Sequence, residues 1–507
     1  MNIRLIRSAS LGLIITLTFS CQSPNFDTII RGALVLDGSG KPGVLTDVAV
    51  TGDSIAAIGD LSNATADNVF VATGLVLAPG FIDVHSHHAG GLEDDPSGLA
   101  VVSQGVTTIV TGQDGGSHIP LAKYFRSLET SPVAVNVASY AGHNSIRDSV
   151  MGKDFKRKAN LEEIGQMEAI LKNEMEAGAL GLSTGLEYDP GIYSDPQEVL
   201  SLSRVLPAYG GRYISHLRSE DRWYDAAVKE IITIGKQTGV PVQISHFKLA
   251  MRALWGKAGR SVERLDSARA AGINITADIY PYPYWSSTIR VLFPDRNFTD
   301  LKEAAFILRE VTTPEGIIFS SYDPNPEYNG KSLADAAAAE HTTPEKMLVE
   351  LIRRLDECEQ RNPDCDGSIV ATSMDEQDIA TLMRWPHSGI CSDGNSSGRH
   401  PRGFGAFTRV LRKYVREDSV LTMTEAVRRM TSLNAASLGL KRRGVIAAGY
   451  KADLVLFDPT TIGDRATIAD PHALSTGIES VWVNGKVVYR KTGVTGVRPG
   501  KVLRREK

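Results

Sequence analysis

Hydrophobic positions along this chain come in two textures, which exchange near residues 79 and 440. From 26 to 78 the apolar runs are short and end in turn residues. "TIIRGALVLDGSG" closes on Asp-Gly-Ser-Gly, and "DVAVTGDSIAAIGD" turns at Gly52-Asp53. Such runs predict short β-strands. The same texture returns from 441 to 500, where "ADLVLFDP" is stopped by proline and "SVWVNGKVVY" carries Asn-Gly at its centre, a hairpin signal. Together they predict one small β-sandwich domain built from both chain ends and interrupted by everything between.

Residues 79–440 alternate strand-like and helix-like stretches. Strand candidates are "FIDVHSH", "VTTIVTGQD", "VAVNVASYAGH", "GALGLSTGLE", "GRYISH", "PVQISH", "INITADIY" and "SGICSD", with amphipathic stretches such as "NLEEIGQMEAILKNEMEAG" between several of them. Eight strands with crossover helices predict an α/β fold, a closed (β/α)8 TIM-type barrel. The connection between Tyr280 and Ser388 is far longer than an ordinary link. The stretch at about 285–387, with helical pieces such as "PEKMLVELIRRLDE", is therefore expected to be a lid-like insertion over the barrel mouth.

Composition narrows the class. With 507 residues, 42% of them hydrophobic and 22% charged, the chain is long enough for two or three domains. A net charge of −4 without a long basic run gives no sign of nucleic-acid binding. Residues 1–20 stand apart: Arg4 and Arg7 precede an apolar stretch from Leu11 to Phe19, and Cys21 follows. That layout predicts a secretory signal peptide of lipoprotein type with Cys21 as first mature residue. The protein is then exported, either periplasmic or anchored to a bacterial membrane through a lipid on Cys21. Of the other cysteines, Cys358 and Cys365 are spaced so that they could pair in an oxidising compartment.

The chemistry lies at the strand ends. "PGFIDVHSHH" places His85 and His87 on one strand face and His88 on the other. In a barrel, functional side chains gather at the C-terminal rim. There the sequence puts His85 and His87 on the first strand, Asp114 on the second, His143 on the third, Glu187 on the fourth, His216 on the fifth, His246 on the sixth and Asp393 on the eighth. His216 and His246 each close an "ISH" strand. Imidazoles and carboxylates collected this way suit zinc, as one or two ions, or a similar divalent metal. Of the eleven histidines, His88, His118, His341, His387, His400 and His472 stand outside the pattern and read as structural or solvated.

With these motifs in view, the chain resembles the amidohydrolase superfamily, and within it the N-acyl-D-amino-acid deacylases (D-aminoacylases). The resemblance covers nearly all of the mature chain. It is carried by "PGFIDVHSHH", "GALGLSTGLEY", "ISHLRSE", "ISHFK", "DIYPYPY", "SDGNSSGRHPRGFGAFTRVLRKYVRE" and "RGVIAAGYKADLVLFDP". It implies a metal-bearing barrel beside a small β-sandwich. It also implies an amide hydrolase in which hydroxide from metal-bound water attacks the carbonyl and Asp393 is general acid and base. The substrate would be a small molecule with an amide and a carboxylate, and by similarity Lys248, Arg402, Tyr280 and Ser286 would meet that carboxylate. His143 would orient the substrate or stabilise the oxyanion.

Two positions depart from the family pattern. Relatives commonly carry Asn-Cys-Gly after the second strand, with the cysteine as metal ligand, whereas this chain has Gln113-Asp114-Gly115. The fourth strand ends in Glu187, where the cysteine-bearing enzymes often have an apolar residue. The expectation is that Glu187 bridges two metal ions in place of the thiolate, with Asp114 a further ligand or an orienting partner. Alternatives on the same barrel are a dipeptidase, with Glu220 or Asp221 receiving a free amine, or a cyclic amidase. The latter often uses a carbamylated lysine on the fourth strand, which here contains no lysine. A non-catalytic exported binding lipoprotein is the remaining class.

Overall fold

The computed structural model describes residues 25–506; the signal segment and Cys21 lie outside them. Among the described residues no helix is long and apolar enough to cross a membrane.

The middle of the chain closes into a barrel of eight parallel strands. They are β1 (Phe81–Asp83), β2 (Val106–Thr111), β3 (Asn136–Ser139, resumed at Ala141–Gly142), β4 (Gly181–Gly185), β5 (Arg212–His216), β6 (Val242–Ile244), β7 (Ile275–Ile279) and β8 (Ser388–Ile390). Neighbours pair in parallel register from β1 round to β8. The ring is closed where Ser86 bridges Gly394 and the Asp393 N–H donates to the His85 carbonyl at 2.9 Å. Asn434, from the outer helix Ser432–Leu438, clasps the same seam by donating to the carbonyls of Ile82 (2.7 Å) and Ile390 (2.8 Å). β2 reads Val-Thr-Thr-Ile-Val-Thr and is buried throughout, as strands covered by helices on one side and barrel interior on the other must be.

The chain ends meet in one nine-stranded sheet, in which Leu454–Phe457 lies antiparallel to Val76–Pro79 and joins the two halves. Its core packs Ile30, Val48, Val50 and Ile55 from the first half against Leu454, Leu456 and Trp482 from the second. A buried polar knot ties this sheet to the barrel: Asp453 takes hydrogen bonds from Arg443 and from Asn136 of β3, and Asn484 donates to Asn136 at 2.8 Å.

The long connection after β7 forms its own small unit. An antiparallel sheet of Tyr284–Thr288, Gly367–Thr372 and Ile317–Tyr322 packs on the helix Pro344–Glu359 around Leu348, Leu351, Ile352 and Phe319. Cys358 and Cys365 are disulfide-bonded at its edge. The sheet goes beyond the helical pieces expected from sequence, and the unit ends sooner: after Thr372, the helix Glu376–Arg384 rejoins the barrel wall against the helix Ala258–Ala270.

Candidate metal centre and cavity

Five barrel strands deliver polar side chains to one point above the strand ends. His85 Nε2 lies 3.3 Å from Asp114 Oδ2 and 3.3 Å from Asp393 Oδ1; His87 Nε2 lies 3.3 Å and 3.1 Å from the same two atoms. A second set adjoins the first, with His246 Nε2 at 3.2 Å from Asp114 Oδ1 and at 2.9 Å from His216 Nδ1. Within each set, His85, His87, Asp114 and Asp393 or Asp114, His216 and His246, the donor atoms lie close enough to share one ion. Asp114 belongs to both.

A carboxylate stands on the far side of three of the imidazoles. Glu187 Oε2 sits 3.1 Å from His216 Nε2, Glu220 Oε1 3.0 Å from His246 Nδ1, and Asp278 Oδ1 3.5 Å from His85 Nδ1. A carboxylate that accepts one ring N–H leaves the other nitrogen as a lone pair. His216 Nδ1 and His246 Nε2 converge at 2.9 Å, and the Lys248 ammonium lies 2.6 Å from His246 Nδ1. Five carboxylates, Asp114, Glu187, Glu220, Asp278 and Asp393, face only two cationic side chains here, Lys248 and Arg402. The donor set thus fits a divalent ion in both its chemistry and its charge.

Asp114 stands between the two sets, while Glu187 joins His216 and Glu220 in a third group whose donor atoms lie close enough to share an ion. Glu187 lies on the far side of His216, where it also accepts the Glu220 backbone N–H at 2.8 Å. The reason is backbone geometry: Asp114 adopts φ +51°, a left-handed conformation that swings its carboxylate between the two sets. His246 (φ +32°) and Asp393 (φ +51°) do the same on their own strand ends. Strain of this kind costs roughly 1–3 kcal/mol per residue and gathers where function imposes it. Glu187→Gln is expected to weaken ion binding at the His216–His246 set by about 10–100-fold while sparing the His85–His87 set. Competitive zinc titration distinguishes this from a bridge, whose loss would weaken both sets together.

His143 also departs from its expected role. The chain turns into the helix His143–Met151 at that residue, and its ring is carried into the helix layer. There Nε2–H donates to Glu198 Oε1 at 2.8 Å, and Arg147 donates to the same oxygen at 3.0 Å. His143 lines no part of the cavity and joins two barrel helices instead.

A cavity opens beside the His216–His246 set, lined by Glu187, Tyr188, Lys248, Asp393 and, from the insertion, Trp285 and Ser286. Lys248 donates to both oxygens of Glu220 at 2.8 Å. Arg402 donates to Asp393 Oδ2 at 2.5 Å and stacks 4.9 Å over the Tyr280 ring. The Tyr280 hydroxyl is buried without a hydrogen-bond partner, and burial holds the phenol well above its ordinary pKa, so it remains a donor. Arg402 reaches this place because two backbones touch: a Cβ on Gly403 would stand 1.9 Å from the Asn395 carbonyl oxygen.

Several supporting residues carried no sequence signal. Asp278 is buried within β7, and besides facing His85 it accepts the His246 N–H at 2.7 Å. His400 donates from Nε2 to the Tyr284 carbonyl (2.8 Å) and accepts the Arg402 N–H (3.1 Å), linking the insertion to the Arg402 loop. Burial, followed by the neighbouring Arg402, keeps its imidazole neutral. His88 accepts from Ser86 Oγ at 3.0 Å and donates to the Gly403 carbonyl at 3.2 Å; burial pushes its pKa down to about 4.

The amidohydrolase family model matches residues 69–317 and 364–489. The chain belongs to the amidohydrolase family. It is 38% identical to the N-acyl-D-glutamate deacylase of Alcaligenes xylosoxydans xylosoxydans, over 95% of this chain and 97% of that one. It is 36% identical to the D-aminoacylase of the same organism, over 96% and 99%. The crystal structure of N-acyl-D-glutamate deacylase from Bordetella bronchiseptica, complexed with zinc and a phosphonate mimic of the tetrahedral intermediate, superposes with a TM-score of 0.86 at 34% identity, covering 95% of this chain and all of that one.

Proposed function

We propose that this protein is a zinc-dependent deacylase of N-acyl-D-amino acids. The observation that carries the reading is a convergent donor set whose Asp393 is paired with Arg402, beside a cavity that Lys248 lines, with the unpartnered Tyr280 hydroxyl on the ring that Arg402 covers. The D configuration is taken from the relatives, which are named for D substrates. His85, His87, Asp114, Asp393, His216 and His246 would hold the metal. Bound there, zinc supplies acidified water and polarises an amide carbonyl. The chain's own residues do the rest. Arg402 offers a two-pronged match to the substrate carboxylate, and Lys248, Tyr280 and Ser286 complete its seat. Asp393, between the donor set and Arg402, takes the proton from the attacking water and delivers it to the departing amine.

The dipeptidase alternative is disfavoured by the charges it would need. Glu220 is engaged by Lys248 and His246, and Asp221 by Arg222, so neither is free to receive an amine.

Tyr280→Phe separates recognition from folding. The hydroxyl makes no bond within the protein, so its removal is expected to leave stability unchanged or slightly raised. It should also raise KM by about 10–100-fold, the value of one hydrogen bond to a charged group. Thermal melting and steady-state kinetics read the two effects separately.

Amine release from matched N-acetyl-D and N-acetyl-L amino acids and a few dipeptides, with added zinc, tests the whole reading. Preference for the D acyl series supports it; cleavage of the L series or of dipeptides replaces it.

Export and lipidation at Cys21 belong to the same proposal. They are supported by Arg4, Arg7 and the apolar stretch before Cys21, and by the Cys358–Cys365 disulfide, a bond at home in oxidising compartments. Radiolabelled palmitate incorporated into the full-length chain and lost in Cys21→Ser is the expected result.

A further inference from the structure

Resting on the reading that zinc occupies both donor sets, we infer that Ser183 and Asn144 are positioning residues for the Asp114 carboxylate, and that they govern the affinity for a second ion rather than a first. Asp114 meets both sets only while its backbone, at φ +51°, holds the carboxylate between them. That conformation is uncommon outside glycine, and it persists only where the surroundings impose it. Here they do so from several sides. The Ser183 hydroxyl, on β4, reaches past β3 to bracket Asp114. It donates to the Gly112 carbonyl at 2.6 Å and accepts the Gly115 N–H at 3.0 Å. Its one proton and one of its lone pairs are thus used on the two flanks of a single turn. On the opposite side, the Gln113 amide donates to the Val84 carbonyl at 2.6 Å and fastens the turn to the end of β1.

Asn144 supplies the remaining wall. It stands in the first turn of the helix His143–Met151, where its amide donates to the Gly185 carbonyl at 3.0 Å and accepts the Gly185 N–H at 3.4 Å. The next residue, Ser145, donates its backbone N–H to the Gly115 carbonyl at 3.1 Å. The fit leaves no slack. A Cβ on Gly185 would stand 2.0 Å from the Asp114 carbonyl oxygen, and one on Gly115 would stand 2.2 Å from Asn144 Oδ1. The Asp114 turn is therefore wedged between β4 and this helix, and Asn144 holds the two together. A single ion can draw the carboxylate to itself even if the turn drifts. Two ions need both oxygens in place at once, so a loosened turn spares the first ion and weakens the second.

The test compares Ser183→Ala and Asn144→Ala with Thr184→Val. Thr184 follows Ser183 on the strand and points to the other face, where it bonds the hydroxyls of Tyr213 and Ser215 at 2.8 Å each. Its replacement removes buried hydrogen bonds from β4 without touching the turn. Zinc is titrated against a competing chelator, and electron paramagnetic resonance is recorded after both sets are filled with Mn2+, since two such ions sharing a carboxylate couple magnetically. In Ser183→Ala and Asn144→Ala the first zinc ion should keep its parental affinity and the second should weaken by about 10–100-fold. Magnetic coupling should fall in both variants even at full loading. Thr184→Val should melt lower yet keep both affinities and the coupling. If Ser183→Ala does not fold, Asn144→Ala carries the same expectation. An unchanged second-ion affinity in either folded variant would overturn the inference for that residue. An equal loss in Thr184→Val would overturn it for both, because the effect would then follow from stability alone. A parent protein that holds fewer than two zinc ions would overturn the reading beneath, and this inference with it.

Discussion

Asp393→Asn is expected to lower kcat by about 10³-fold or more, within the range of general acid–base contributions, while zinc at the His216–His246 set is retained. The substitution keeps the shape of the side chain and one acceptor oxygen, so the fold and the Ser86–Gly394 seam should survive. What it removes is a base at the one place where a proton must be moved. Burial opposes the charge on Asp393, yet Arg402 at 2.5 Å outweighs it and holds the carboxyl well below the usual carboxylate range. A base held so low accepts protons poorly. Substrate changes this, because its carboxylate competes for the same guanidinium and draws Arg402 away from Asp393. Binding thereby raises the proton affinity of Asp393 at the moment it is needed. The sign for pH follows. In the free protein Asp393 stays ionised well into the acid range, so the acid limb of kcat/KM that it sets lies below the usual carboxylate range. Arg402→Met removes the opposing cation and should shift that limb toward neutral pH, as well as raising KM. A pH–rate profile of the two proteins side by side checks this; an acid limb unmoved by Arg402→Met would separate Asp393 from the proton transfer.

Much of this site was legible in the sequence because a barrel converts strand ends into neighbours. His85, His87, His216, His246 and Asp393 needed only the period of the strands and the place where each stops. What the sequence leaves open is direction at the rim, which is set by backbone torsions a sequence does not display. Glu187 and Asp114 are both carboxylates one step past a strand, and the left-handed turn at Asp114 decides which of them faces both sets. His143 occupies the same formal position but opens a helix, which carries it outward to Glu198. Asp278 hides inside "ITADI", where it reads as one polar residue in an apolar strand. Glu220 and His400 act through the side chains they hold, and such partners have no spacing of their own. In the insertion, Tyr284–Thr288 and Gly367–Thr372 lack the strong alternation that marks a strand; the first is defined by pairing with the second, which also pairs with Ile317–Tyr322.

Asp114 should be the residue on which metal content turns. Its Oδ2 faces His85 and His87 and its Oδ1 faces His246, so both oxygens are used and neither set is complete without it. Asp114→Asn keeps the size and tolerates the left-handed backbone, since asparagine is among the residues that adopt it most readily. The apo protein is therefore expected to melt within about 1 kcal/mol of the parent, as substitutions without a packing or strain mechanism do. Only one oxygen remains to asparagine, however, and its amide N–H2 would point at imidazole lone pairs where an anion is required. Zinc affinity at one set should fall by at least about 100-fold, the loss of one charged ligand at about 2.7 kcal/mol or more. Asp114→Cys is the complementary test. A single thiolate can stand between the two sets with bonds of about 2.3 Å in place of about 2.0–2.2 Å for oxygen. That variant should recover zinc binding and shift selectivity toward softer ions. Elemental analysis after dialysis against a graded chelator series reads all three proteins together. Two tightly held zinc ions in Asp114→Asn would remove Asp114 from the bridge and return that role to the remaining carboxylates.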